Sequence, residues 1–172
     1  MSAMEYNGPE RRRRPGGERT RVLVVDDQAL FRIGIRGILD SEPDLEIVAE
    51  AEDARSAHDV ALEASPDVVL MDLSLPAPGG IEATQRIKRD LPSTAVIVMA
   101  VAEDEDALFG AIKAGAAAYV PKDVSPDDLV TVVRRVATGE FPINDKVFSQ
   151  PAVASRVLKD FRELAIYGAE AT

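Results

Sequence analysis

Val68-Val69-Leu70-Met71-Asp72-Leu73-Ser74-Leu75-Pro76-Ala77-Pro78-Gly79-Gly80 sets one carboxylate at the end of an apolar run and then breaks into prolines and glycines. A short β-branched run bounded by turn residues reads as a strand covered on both faces. An unpaired charge at the exit of such a strand is expensive to bury, so Asp72 must answer to something other than packing.

The same alternation recurs on both sides of that stretch. Strand candidates fall at residues 21–25, 45–49, 67–71, 95–99 and 117–120, and segments of helical period fall between and after them at 28–40, 54–64, 80–90, 103–114 and 126–138. Five such units are the signature of a parallel sheet with helices on both faces. Local causes set the boundaries. Ser125 is placed to N-cap with Pro126 at the first helical position. Gly115 and Gly139 stand where a left-handed C-terminal residue is wanted. Pro43, Pro66 and Pro92 each follow a helix and stop it. After Gly139 the pattern becomes an irregular connector, Phe141-Pro142-Ile143-Asn144-Asp145, and then a last helix over 151–167. Its apolar stripe, Val153, Val157, Phe161 and Leu164, is too narrow to fold alone. It must dock on the domain, on a twin helix or on a following domain.

Composition bounds the function. With 172 residues the chain holds one main domain, at 21–139, flanked by an arm at 1–20 and a connector with helix at 140–172. It has no cysteine, which excludes disulfides, cysteine-held metals and thiol nucleophiles, and fits a reducing compartment, with the cytoplasm as default. No apolar run approaches the roughly 20 residues that span a bilayer, and the first residues do not form a signal peptide. Net charge is -10; the first 20 residues carry five arginines against three glutamates, leaving 15 basic against 27 acidic residues after them. Such a body repels nucleic acid unless a local basic face exists. The Arg11 to Arg14 run, set among prolines and glycines, reads as a disordered, solvated arm, with a docking or nucleic-acid role as the alternative.

Right-handed crossovers place all strand C-termini on one edge of the sheet, where ligands of open α/β sheets bind. At those exits stand Asp26 and Asp27 after the first strand, Asp72 after the third, Ala100 after the fourth and Lys122 after the fifth. Three acids packed together repel unless a cation sits among them. Mg²⁺ is the natural guest, because it takes oxygen ligands and typically combines one or two carboxylates with phosphate oxygens. Lys122 can pair first with a carboxylate and then with a phosphoryl oxygen. Asp72 is the acid best placed to act as nucleophile and become an aspartyl phosphate. The tight Pro/Gly loop after it lets a backbone carbonyl, that of Ser74, approach the metal. The bland alternative is that each acid only caps a nearby helix. That serves one acid well and the whole ordered set poorly.

Three stretches, Val22-Leu23-Val24-Val25-Asp26-Asp27-Gln28, the run from Asp67 to Pro76 followed by Gly79-Gly80-Ile81-Glu82-Ala83-Thr84, and Ala114-Gly115-Ala116-Ala117-Ala118-Tyr119-Val120-Pro121-Lys122-Asp123, resemble the receiver domain of bacterial two-component response regulators. The resemblance covers about residues 21–139. It implies a flavodoxin-like five-stranded sheet of order 2-1-3-4-5, phosphorylation of Asp72 by a sensor histidine kinase, and Mg²⁺ held by Asp26, Asp27 and Asp72. One position departs from the pattern. The family's fourth strand usually ends in a Thr or Ser whose hydroxyl binds the phosphoryl group; here Ala100 is followed by Val101 and Ala102. That puts the coupling of phosphorylation to rearrangement of the fourth helix in doubt. Tyr119 matches the family's switch aromatic, but a strand tyrosine is as readily ordinary packing with a wet tip.

The tail is similar to the segment that follows receivers in the NarL/FixJ-like regulators, which carry a LuxR-type helix-turn-helix. No such output domain follows Tyr167, which reads as truncation or as a stand-alone receiver. The remaining expectations are modest. His58, the single histidine, is expected in solvent on the second helix. Glu103-Asp104-Glu105-Asp106 is expected to open the fourth helix, favoured by its dipole. Partners implied are a sensor kinase, a second copy through the C-terminal helix or the fourth/fifth-helix face, and DNA only through an output domain. Three functions compete: a phosphorylated signalling module, a constitutive binding module freed from phosphorylation by Ala100, and a Mg²⁺-dependent aspartyl phosphatase. The last usually needs a second Asp where Ser74 stands. Otherwise the domain is not an enzyme.

Overall fold

The computed structural model describes residues 6–7, 11–12 and 19–171, with side chains from 19 to 164. The expected arm lies outside the described residues, apart from 19–20 and a short backbone pairing of Tyr6–Asn7 with Arg11–Arg12.

Five strands, β1 (Thr20–Val25), β2 (Leu45–Ala51), β3 (Val68–Asp72), β4 (Ala95–Ala100) and β5 (Ala118–Pro121), form one sheet. All neighbours are parallel, in the order β2-β1-β3-β4-β5, which is the expected 2-1-3-4-5. Helices α1 (Ala29–Asp40), α2 (Ala54–Ala64), α3 (Gly79–Asp90), α4 (Glu105–Ala114) and α5 (Pro126–Ala137) connect and follow them. Alternate side chains of the strands feed two cores. One lies under α2, α3 and α4, built on Leu23, Val69, Met71, Val96 and Val98. The other lies under α1 and α5, built on Val22, Val24, Leu70, Ile97 and Met99. Every residue of β3 is buried, Asp72 included. Burying its apolar side chains contributes about 1.5–3 kcal/mol each, which offsets the cost of presenting a carboxylate at its end.

The caps follow the sequence. The Ser125 hydroxyl accepts from the Asp128 N–H at 3.2 Å. Acids Asp127 and Asp128 stand in the first turn of α5 and Arg134 and Arg135 in its last, as the helix dipole favours. Gly115 and Gly139 close α4 and α5 at φ 93° and 96°, a conformation costly for any residue with a Cβ. Asp104 caps α4 and leaves Glu105 and Asp106 in the first turn, so the acidic run opens that helix two residues later than expected.

Three expectations need correction. His58 is 8% exposed rather than solvated. Its Nε2 lies 2.6 Å from Asp90 Oδ2, on the seam where α2 meets α3. The carboxylate also receives Arg89, and together, Arg89 foremost, they hold its pKa down to about 2. The connector is not irregular: residues Ile143–Phe148 form a short helix, α6. Asn and Asp make its pattern too weak to read, but Ile143 is buried in the core and its N–H donates to the Ala117 carbonyl at 2.9 Å. The apolar stripe of the last helix, α7 (Pro151–Ala171), divides. Val153 is fully buried in the domain's own core and Val157 packs against it, whereas Phe161 and Leu164 stay 73% and 64% exposed. Val153 is therefore closed to a second copy while α7 lies here. Helix α7 packs against α4 and α6, and α6 against β5. Among the described residues no helix is long and apolar enough to cross a membrane.

Candidate functional site

The strand exits converge as the crossover rule requires. Carboxylate oxygens of Asp26, Asp27 and Asp72 lie within 4.8 Å of one another, the first and third buried and the second exposed. Lys122, from the end of β5, reaches into the same space. Its Nζ is 2.7 Å from Asp26 Oδ2 and 3.4 Å from Asp72 Oδ1. The shorter contact has the distance of a hydrogen bond but not its angle, so among the described residues Asp26 Oδ2 has no hydrogen-bond partner, and neither has Asp72 Oδ2. Three carboxylates face one ammonium, and two negative charges are left without compensation in a largely buried space. Such an excess is strongly unfavourable unless a cation or a proton relieves it. The residues thus fit a divalent cation bound through oxygen.

Asp26 and Asp72 are each fixed by nearby hydrogen-bond donors. Asp26 Oδ1 accepts the Gln28 N–H at 2.8 Å, and the Asp26 carbonyl accepts from the Arg32 guanidinium. Asp72 Oδ1 accepts both the N–H and the hydroxyl of Ser74, at 2.9 and 2.7 Å. The recorded contacts of Ser74 are thus with Asp72, through amide and hydroxyl. One oxygen of Asp72 is held and the other is not. The Leu73 N–H bonds the Met99 carbonyl and the Lys122 N–H bonds the Ala100 carbonyl, which locks the third, fourth and fifth exits together.

Ala100 is buried at that junction and offers only a methyl group. Tyr119 is also buried, with its hydroxyl 3.4 Å from the Ala102 carbonyl. Desolvation raises its pKa above the ordinary value near 10. Its ring is therefore turned inward without any hydroxyl at position 100. Val153, Val157, Phe161 and Leu164, expected to form an interaction helix, lie on α7 and not among these strand exits.

Two further residues shape the site. The Lys122 ammonium sits 4.5 Å from the centroid of the Phe31 ring on α1, a cation–π contact that helps to fix it. A Cβ at Gly80 would collide with the Asp72 carbonyl oxygen and come within 3.0 Å of Leu73 Cα. Only glycine lets α3 start against the acid. The Gly79-Gly80 pair signals a turn, and the structure requires both: Gly79 for its φ of 89° and Gly80 for this close approach.

Residues 22–134 match the response regulator receiver domain family. The chain is 34% identical over 143 residues to the transcriptional regulatory protein DegU of Brevibacillus brevis, covering 83% of this chain and 58% of that protein. It is 36% identical over 149 residues to the nitrate/nitrite response regulator protein NarP of Escherichia coli, covering 87% and 65%. It thus spans about six-tenths of the length of these curated relatives. A LuxR-family two-component response regulator from Aurantimonas superposes with a TM-score of 0.69 at 35% identity, over 72% of this chain and 89% of that one. The receiver domain of a NarL from Mycobacterium tuberculosis gives 0.69 at 28% identity, over 72% and 99%. An acid cluster with a lysine at the exits of a 2-1-3-4-5 sheet and a family match over most of the domain lead to one conclusion: the chain belongs to the response regulator receiver family, the signalling domain of two-component systems.

Proposed function

We propose that the domain accepts a phosphoryl group on Asp72 from the phosphohistidine of a sensor histidine kinase. Asp26, Asp27 and Asp72 would hold Mg²⁺, with the Ser74 carbonyl as a further ligand. The observation that carries this reading is the buried Asp72 carboxylate, one oxygen held by Ser74 and the other without a hydrogen-bond partner among the described residues. A nucleophile needs that arrangement, because the held oxygen orients the group and the free one keeps its lone pairs. In the transfer, an Asp72 oxygen attacks phosphorus, a P–O bond forms and the P–N bond breaks. The imidazole leaves with the electron pair and takes a proton from solvent. Bound Mg²⁺ supplies charge neutralisation at the phosphoryl oxygens. Lys122 shifts its ammonium from the carboxylates to the incoming oxygen, and Phe31 keeps it in reach.

The curated relatives include a transcriptional regulatory protein and a nitrate/nitrite response regulator. We therefore read the phosphorylated domain as controlling transcription, in the cytoplasm, through a DNA-binding output domain of the full-length protein. A second reading rests on Ala100. With a methyl group at the fourth exit and Tyr119 already turned in, the domain works as a constitutive interaction module whose shape does not depend on phosphate.

Intact mass after incubation with acetyl phosphate and Mg²⁺ tests the first reading. A gain of one phosphoryl group is expected in the native chain and none in Asp72→Asn. A gain that persists in Asp72→Asn would exclude Asp72 as acceptor. Hydrogen exchange of the phosphorylated form then decides between the readings: altered protection at residues 101–119 supports switching, and an unchanged pattern supports the constitutive module.

A further inference from the structure

The acidic run after β4 does more than begin a helix. Glu103 meets Lys146 of α6 at 2.9 Å and Gln150 at 3.4 Å. Asp106 and Glu105 meet Arg156 of α7 at 2.7 and 3.5 Å. The Arg156 guanidinium also stacks 4.2 Å from the Phe109 ring centroid of α4, and the Lys146 ammonium lies 5.9 Å from that of Tyr119. Lys113 and Asp160 add a looser pair at 3.9 Å. Arg135 of α5 and Asp145 of α6 form a second loose pair, likewise with the base on the domain, at 3.8 Å; in the close contacts, at Glu103, Glu105 and Asp106, the domain presents acids and the C-terminal segment presents bases. Beneath the charges, Ile143 and Val153 are buried in the domain core.

We infer that α6 and the first turns of α7 are a charge-latched cover on the α4–β5 face, which binds the loop leaving Ala100 to the helix that leads out of the domain. The two kinds of contact have different work. Val153 and Ile143 set where the cover sits, because apolar burial is strong and local. The ion pairs are largely exposed, and exposed pairs are individually weak, so they hold the loop at 101–104 and the first turn of α4 in a way that can be released. While the latch holds, the face is occupied by this chain's own segment, and any other partner must displace it. Motion of the loop and motion of α7 are one event. That gives the site a mechanical connection to the C-terminus even with no hydroxyl at position 100.

The test is a charge reversal in the whole chain, Lys146→Glu with Arg156→Glu, read by amide hydrogen exchange. Both side chains are partly exposed, at 29% and 39%, and the unchanged exchange of β1 and β3 reports that the fold is kept. Exchange should accelerate by about tenfold or more at residues 143–157 and at the start of α4, with β1 and β3 unchanged. Adding Glu103→Lys and Asp106→Arg should restore protection. Unchanged exchange in the reversed chain would overturn the proposal, as would a loss that the reciprocal substitutions fail to repair.

Discussion

Two regions of this molecule gather acids around lysine or arginine, and they do so in opposite ways. At the strand exits, Asp26 and Asp72 are buried, Asp27 joins them exposed, and among the described residues Lys122 is the cation set against the three. On the α4–β5 face, Glu103, Glu105 and Asp106 are exposed and each meets a basic partner. The first cluster is short of positive charge in a place where water cannot make up the deficit. The second is matched in a place where water would have sufficed. A buried imbalance calls for an added positive charge, and the residues fit a divalent cation. An exposed balance instead orients one part of the chain on another.

The largest expected effect sharpens the contrast directly. At a hundredfold excess over its Kd, Mg²⁺ should stabilise the native chain by about 2.7 kcal/mol, seen as a rise in Tm. Asp27→Asn should raise the metal-free Tm, since it relieves repulsion, and remove most of the response to Mg²⁺. If thermal unfolding of the native chain is the same with and without Mg²⁺, the cluster is not a cation site and the contrast collapses.

Next in size is the divided stripe of α7. Val153→Ala removes two buried carbons and should cost about 1.5 kcal/mol in urea unfolding. Leu164→Ala, on the exposed face, should change stability by less than about 0.5 kcal/mol. Equal costs would mean that α7 does not lie on its own domain in solution.

The smallest effect concerns pH. The Lys146 ammonium beside Glu103 holds that carboxyl below its ordinary value near 4.5. Because the folded value is the lower one, the pair stabilises docking above that ordinary value and loses its contribution as pH falls through the folded value. Exchange at residues 143–150 should therefore become less protected on acidification below about pH 4.5, beyond the intrinsic rate change, and Glu103→Gln should flatten that dependence. The same acid limb in Glu103→Gln would show that the latch draws on other carboxyls.

Much of the site was legible before any coordinates. Asp26, Asp27, Asp72 and Lys122 each follow an apolar run, and a parallel sheet sends all such exits to one edge. Phe31 and Gly80 were not. Phe31 reads as one more apolar residue of an amphipathic helix until the Lys122 ammonium is found over its ring. Gly80 reads as half of a turn until its distance from the Asp72 carbonyl is known. His58 was misread for a related reason: a polar residue on a helix is assigned to water unless another helix brings it a partner, and α3 brings Asp90.

By itself the sequence determined the alternation of strands and helices, the sheet order that its motifs imply, and the set of acids at the exits. The alternation and the acids at the exits follow from periodicity and chirality, which act over a few residues at a time; the sheet order is what the resemblance of the motifs implies. Only the tertiary structure decided what covers each face. Which apolar residues of α7 go inward, where the acids of 103–106 find their bases, and that β5 is capped by the chain's own tail depend on segments some 40 to 50 residues apart meeting in space. No local pattern encodes such a meeting, because an amphipathic face specifies that it must be covered and not by what.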